Sequence, residues 1–290
     1  MSEYKSNLQL TQQLIKLAVC PHCQSAFQAV GKSLVCTANH SFDIAKQGYV
    51  NLLPKPASSQ YSKSLFAARR SIITESGLYR PLHQLTAALI MQHAATSMDS
   101  LCLLDAGCGE GSHLQHIAQL CKHPDLTAVG LDIAKAGIAM AAGSYKHMAW
   151  LVGDLANLPL AAHSCDVVLN MLSPSNYSEF KRALRPNGLV IKVVPRQHYF
   201  QQLRAALFPD STRAPYSNER TVKLFQQHFT VQSMHRLTYT HKLGDGELEK
   251  LHAMSPLAWN AQSSRIAAFL EQDELELTVD VDVLVGQNKH

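Results

Sequence analysis

Residues 101–121 read LCLLDAGCGEGSHLQHIAQLC, and the change of period along this stretch decides the fold. Leu101 to Asp105 is an apolar run of strand length, and Gly107, Gly109 and Gly111 fall in the turn after it. Leu114, Ile117, Ala118 and Cys121 then recur at helical spacing. Strand, tight turn and helix make the unit from which parallel sheets are built, and such sheets bind ligands at the carboxyl ends of their strands. Glycine lets the backbone turn sharply and approach a ligand with no Cβ in the way. Alone, the turn leaves a dinucleotide, a nucleoside or no ligand open.

The downstream sequence narrows the choice. Residues 127–142, TAVGLDIAKAGIAMAA, predict a second strand ending at Asp132, where a carboxylate can accept hydrogen bonds from both hydroxyls of a ribose. Residues 148–160, MAWLVGDLANLPL, predict a third, followed by Asp154 in a loop suited to an adenine edge. Residues 165–175, CDVVLNMLSPS, predict a fourth, ending at Asn170. A fifth strand is expected over 185–194, a sixth around Phe229 to Ser233 and a last over Glu274 to Val285. Leu275, Leu277, Val279, Val281 and Val283 lie on one side of that last strand by its period of two. Residues 243–261 are expected as an insertion before it.

The amino-terminal segment carries a different signal. Cys20 and Cys23 form one close pair, and Cys36 and His40 form another after twelve residues. Zn²⁺ takes four such ligands in a tetrahedron, and a closed Cys3His set leaves no position for a catalytic water, so the spacing predicts a structural metal. His22, between the two ligands of the first pair, is poorly placed to be the fourth arm. A segment this short buries too little apolar surface to fold alone, and a metal replaces the missing core. Packed cysteines without a metal are the alternative.

With 290 residues and 46% hydrophobic content, the chain can hold one large domain and a small one. No apolar run approaches the roughly 20 residues of a membrane span, and MSEYKSNLQLTQQLI lacks a signal-peptide core, so a cytoplasmic protein without a membrane partner is expected. Cys102, Cys108, Cys121 and Cys165 are scattered among apolar residues, as buried thiols rather than a disulfide framework. A net charge of +4 identifies no partner. Its distribution says more, because Lys46, Lys55, Lys63, Arg69, Arg70 and Arg80 face only Glu75 between residues 46 and 80. That stretch reads as a phosphate-contacting surface or as a solvated face.

D-x-G-x-G-x-G at Asp105 to Gly111, GLD at 130–132, GD at 153–154 and RPNGLVIKVV at 185–194 resemble the class I S-adenosylmethionine-dependent methyltransferases. The fold expected is therefore α/β, a Rossmann-like, seven-stranded, mostly parallel sheet with a small zinc-binding domain in front. The whole chain resembles the bacterial 23S rRNA (guanine-N1)-methyltransferase family. Beside the metal ligands and the glycine turn, HSFDIAKQGYVNLLP at 40–54, AARR at 67–70, GLYRPL at 77–82, VVPRQH at 193–198 and MSPLAW at 254–259 carry that resemblance.

The resemblance implies a zinc-binding RNA-recognition domain over 1–55, a helical connector over 56–98 and a methyltransferase domain over 99–290. It implies S-adenosylmethionine and zinc as cofactors, methylation of N1 of a guanine in a 23S rRNA hairpin loop, and a homodimer. It assigns Tyr79, Gly109, Glu110 and His198 to the methyl donor, alongside Asp105, Gly107, Asp132, Asp154 and Asn170 of the strand ends. No general base is assigned. Phe42, Tyr49 and Tyr61 are candidate stacking partners for unpaired bases, with Phe42 and Tyr49 read first as core, because a zinc knuckle must still cover its metal. KPASSQYSKSLF between residues 55 and 66, and Leu172-Ser173-Pro174, depart from the family pattern, which leaves another RNA target as an alternative. A methyltransferase for a small molecule and a non-catalytic RNA-binding adaptor are the remaining alternatives.

Overall fold

The computed structural model describes residues 12–55, 61–95, 99–209, 216–244 and 246–288. The start of the amino-terminal unit and both ends of the connector expected over 56–98 fall partly outside them. The amino-terminal unit is an antiparallel sheet of β1 (Phe27–Val30), β2 (Ser33–Cys36) and β3 (Ser41–Asp43). After β4 (Val50–Asn51) come helix α1 (Lys63–Ser71), a π-helical turn at Ile72–Ser76 and α2 (Arg80–Ala94). The large sheet then begins, with β5 (Leu101–Ala106), α3 (Ser112–Leu120), β6 (Leu126–Asp132), α4 (Lys135–Ser144) and β7 (Ala149–Val152). It continues through β8 (Cys165–Met171), α5 (Tyr177–Ala183), β9 (Leu184–Pro195), α6 (Gln201–Leu207) and α7 (Glu219–His228). The chain ends with β10 (Phe229–Leu243), α8 (Glu247–Met254), α9 (Ser263–Leu270) and β11 (Leu275–Asn288).

The seven expected strands are β5 to β11, and β4 adds an eighth in the order β10-β11-β9-β8-β5-β6-β7-β4. Strands β4 to β9 pair in parallel, while β11 runs antiparallel between β9 and β10. The sixth expected strand is far longer than its sequence suggested, because Phe229–Leu243 pairs along β11 for its whole length. The segment at 243–261 folds into α8 and a 3₁₀ turn at Pro256–Ala258.

Both faces of the sheet are covered, which is why its central strands read as continuous apolar runs rather than alternating ones. On one face Leu101 and Leu103 of β5 join Ile90, Leu114 and Ile117, together with Leu277, Val279, Val281 and Val283 of β11. On the other, Cys102, Leu104 and Ala106 join Phe180, Phe225 and the amino-terminal Leu17, Phe27 and Leu34. The small unit therefore shares a core with the large domain. Gly111 and Gly130 meet a packing demand here, since a Cβ at either would lie 2.3 and 2.2 Å from the ring of buried Trp150.

Helix α2 docks on α3 through two buried histidines, His83 Nε2 lying 2.8 Å from His113 Nδ1. Burial pushes His83 down to about 3, and His116 stacked on it adds to the fall. Burial, then Arg69, pushes His113 down in the same sense. The folded state thus holds neutral imidazoles, whereas an unfolded histidine protonates near about 6.5. Stability is complete above that value and is lost as the pH falls toward 3. Denaturant melts should show it, with His83 alone contributing a loss of about 2 kcal/mol at about pH 5 relative to neutrality. His83→Gln should flatten the slope; an unchanged slope would assign the acid sensitivity elsewhere.

Candidate functional site

Two sites stand out. In the first, two chain reversals present four ligands. Gln24 N–H donates to Cys20 O at 2.8 Å and Asn39 N–H to Cys36 O at 2.9 Å, with Gln24 and Asn39 both in the left-handed region. Cys20 Sγ and Cys36 Sγ lie 3.5 and 3.4 Å from His40 Nδ1, and Cys23 Sγ lies 3.6 Å from Cys36 Sγ. A tetrahedron with Zn–S of about 2.3 Å and Zn–N of about 2.0 Å has edges of roughly 3.5–3.8 Å, so this Cys3His set fits zinc. All four ligand atoms fall within 4.8 Å of one another. His22 stays outside, its ring 5.0 Å from that of His40 and stacked toward Phe42.

This unit is stitched to the large domain. Val19 N–H donates to Pro159 O at 3.0 Å and Ala161 N–H to Leu17 O at 2.8 Å, and Asn157 Nδ2 donates to Pro21 O at 3.3 Å. Strand β4 extends the sheet beside β7. The loop so gripped begins at Asp154, whose carboxylate accepts from Ala156 N–H at 2.8 Å.

The second site is the turn after β5. Gly107, Gly109 and Gly111 all have positive φ, and Asp132 fixes the turn by accepting from Gly109 N–H and Ala134 N–H, each at 2.8 Å. Gly153 N–H donates to Asp132 O at 3.0 Å, tying the Asp154 loop to the same strand end. Asp105 is fully buried and neither carboxylate oxygen has a hydrogen-bond partner among the described residues. Burial pushes its carboxyl up to about 7, with Arg69 opposing the rise and Asp132 and Glu110 adding to it. Glu110 is equally buried, with Arg69 Nε 2.7 Å from its Oε2.

Helix α1 lies over this turn, seated between α4 and α8. Ser62 caps it by accepting from Leu65 N–H at 3.1 Å. A Cβ at Gly109 would come within 3.4 Å of the Phe66 ring and 3.5 Å of Arg69 Nε. Arg70 Nη1 donates to Ser144 Oγ at 2.6 Å and lies over the Tyr145 ring. The basic stretch therefore divides: Lys46, Lys55, Lys63 and Arg80 are exposed, while Arg69 and Arg70 turn inward.

Tyr79 precedes α2, its ring edge-on to His113 and its hydroxyl 2.7 Å from that of Tyr199. His198, next in the chain to Tyr199, is exposed, with Nδ1 2.8 Å from Gln201 Oε1. Asn170 is buried, and its Nδ2 donates to Ala106 O and Pro174 O, each at 2.8 Å. Lys192, buried in β9, donates to Asn170 Oδ1 and, at 3.1 Å, to Ser173 O. This network sets the segment after β8 against the turn, where a Cβ at Gly107 would meet Ser173 Oγ at 2.0 Å, and it holds Leu172 at φ 53°. Such strain in a non-glycine residue persists where the surroundings over-determine it. A cavity of about 470 Å³ opens beside Asp154, lined also by Pro174, Tyr177 and His228.

Around the turn stand Tyr79, Asp105, Gly107, Gly109, Glu110 and Asp132; Asn170 is tied to Ala106 and the Asp154 loop to Asp132 through Gly153 N–H, while His198 points to Gln201 and is next in the chain to Tyr199. The buried carboxylates without hydrogen-bond partners and the acceptors at successive strand ends fit S-adenosylmethionine, which offers an ammonium group, ribose hydroxyls and a flat base. Sequence reasoning placed Arg69 in a phosphate-contacting or solvated stretch and Ser173 in a phrase that departs from the family pattern, and it missed Lys192 and Tyr199. Lys192 had a signal, a cation inside the apolar run LVIKVV.

Comparison with known proteins covers both sites. A zinc-ribbon family model described as RlmA, N-terminal, matches residues 18–61, and one described as methyltransferase domain matches residues 103–188. YxjB of Bacillus subtilis (strain 168), provisionally named a 23S rRNA (guanine-N1)-methyltransferase, is 41% identical over 271 residues, 92% of this chain and 95% of its own. A Streptomyces fradiae protein named 23S rRNA (guanine(748)-N1)-methyltransferase is 29% identical over 255 residues, 88% of this chain and 90% of its own. A solved chain from Bacillus halodurans C-125, provisionally described as a methyltransferase, is 14% identical with a TM-score of 0.45 over 70% of this chain and 99% of its own.

The stitching predicts how metal loss propagates. Chelation of zinc, or His40→Ala, should abolish hydrogen-exchange protection over 19–43 and raise exchange at 152–161, where the two units share backbone hydrogen bonds. Retained protection in metal-free protein would show that the ion does not organise this unit.

Proposed function

The chain belongs to the family of 23S rRNA (guanine-N1)-methyltransferases, and from that premise we propose that it methylates N1 of a guanine in a hairpin loop of 23S rRNA, acting in the cytoplasm as a homodimer. The observation that carries this reading is the 41% identity running through both the zinc-binding unit and the methyltransferase domain, so that neither half is a graft. The dimer and the hairpin rest on the resemblance of the sequence. Among the described residues no helix is long and apolar enough to cross a membrane, in keeping with an RNA-modifying role.

S-adenosylmethionine supplies a methyl group on a sulfonium, a leaving group that departs without acid catalysis. What the protein contributes is alignment in a dry pocket, where holding nucleophile, methyl and sulfur in line replaces an improbable encounter. Asp132 offers acceptors to the ribose, Asp154 to the adenine, and Asp105 and Glu110 to the amino group. Asn170 and Lys192 hold the segment at Ser173 close over Gly107 and so fix the wall on the acceptor side.

Guanine N1 lies on the Watson-Crick edge, so the base must be unpaired before it reaches the donor. Tyr61 and Trp259 are exposed, their rings 5.6 Å apart, and Tyr61 stands 6.0 Å from Phe66, the residue that covers Gly109. This aromatic path leads from solvent to the turn and suits an extruded base, whose stacking is worth about 1–3 kcal/mol. Lys46, Lys55, Lys63 and Arg80 are the exposed cations for phosphates on the way.

Mapping of rRNA modifications by mass spectrometry in a strain lacking the gene should show loss of one N1-methylguanine, restored by the purified protein; unchanged rRNA would defeat the proposal. Trp259→Ala should raise the KM for RNA about tenfold, as expected for one lost stack, and leave donor affinity unchanged. Equal effects on both would move Trp259 from the RNA path to the donor site.

A further inference from the structure

The basic phrase at 67–70 turns one of its arginines, about a quarter exposed, onto a fully buried carboxylate. Arg69 meets Glu110 at 2.7 Å over Gly109, and its partner carboxylate is fully buried. Around the same turn stand Asp105, also fully buried with both oxygens unpartnered among the described residues, and Asp132. Three carboxylates face one guanidinium. Burial lowers the tendency of Arg69 to hold its proton, but Glu110 first, then Tyr79, Tyr199 and Asp105, more than restore it.

We propose that Arg69 is the residue that holds the carboxylate of the donor's methionine headgroup, while Glu110 and Asp105 hold its ammonium. This rests on the cofactor reading above and adds the residue that decides recognition of the headgroup. The chemistry is an exchange of partners. A buried ion pair is costly to break unless each charge finds a new opposite. A zwitterionic headgroup supplies both at once, an ammonium for the carboxylates and a carboxylate for the guanidinium. An arginine suits the second task because its planar fork meets a carboxylate with two parallel N–H donors, and its Nε edge is the one that now faces Glu110.

Position supports the same conclusion. Helix α1 is pressed so closely on the turn that a Cβ at Gly137 would meet the Phe66 ring at 2.9 Å and Gly109 O at 2.7 Å. Arg70 anchors the end of the helix at Ser144, which fixes where the neighbouring Arg69 emerges. Tyr79 shares the field of Arg69 and pairs its hydroxyl with that of Tyr199. One guanidinium is thereby set among the groups that line the headgroup end of the turn.

Calorimetry on the full zinc-loaded chain tests this with three ligands: S-adenosylmethionine, S-adenosylhomocysteine and 5′-methylthioadenosine, which has the nucleoside and no amino-acid headgroup. Arg69→Gln should weaken the first two by about 10- to 100-fold, the range for a charge-assisted pair, and change methylthioadenosine by less than about twofold. Arg69→Lys, which keeps the charge and loses the fork, should reduce the same preference and serves if Arg69→Gln does not fold. Equal weakening of all three ligands would make Arg69 a prop for helix α1, and no weakening would remove it from the site; either overturns the proposal. Failure of the wild-type chain to bind S-adenosylmethionine would instead strike the cofactor reading itself.

Discussion

Two fully buried carboxylates and a half-buried third gathered at one glycine turn, with a single guanidinium among them, are the constraint on which the rest of this structure depends. Taking charge out of water costs several kcal/mol per ion, and only close opposite charges and hydrogen bonds repay it. Asp132 is satisfied by the backbone of the turn it shapes, through Gly109 and Ala134. Glu110 is charge-paired with Arg69 but accepts no hydrogen bond among the described residues, and the pairing sets α1 across the turn, with glycine at 109 and 137 beneath it. Asp105 has no partner within the described chain, and burial raises its carboxyl accordingly. A positively charged ligand is what such an arrangement selects.

Helix α1 and the segment after it consequently pack against the glycine turn. The helix packs on α4 and α8, and its following turn brings Tyr79 against His113 and Tyr199. Outside it, Tyr61 and Trp259 are exposed next to Phe66. The same helix thus has its Arg69 and Phe66 over the glycine turn and exposed aromatic side chains at its start.

The zinc-binding unit follows a related logic of insufficient core. Its three strands are short, and Leu34 and Phe27 are buried only because Leu17, Leu158 and Leu160 of the surrounding chain join them. The metal closes the two reversals and the large domain supplies the rest. Backbone pairing at Val19, Leu17 and β4 then makes the Asp154 loop common to both units.

The sequence by itself determined the strand, turn and helix at 101–121, the acidic strand ends at Asp132 and Asp154, the four zinc ligands and the family. Each of these is local: a period, a spacing of ligands or a phrase of residues carries the information within a few positions. Only the tertiary structure decided the length of β10, set by pairing along β11 rather than by propensity, and the eighth strand, which two residues of the small unit contribute. It alone decided that Gly111 makes room for Trp150, that the Asn170 amide is spent on Ala106 and Pro174, and that Arg69 faces Glu110 while Lys63 faces water. A helix with cations on several sides does not record which side will meet a buried carboxylate. That choice is electrostatic and long-range, made when the fold brings residue 69 to residue 110.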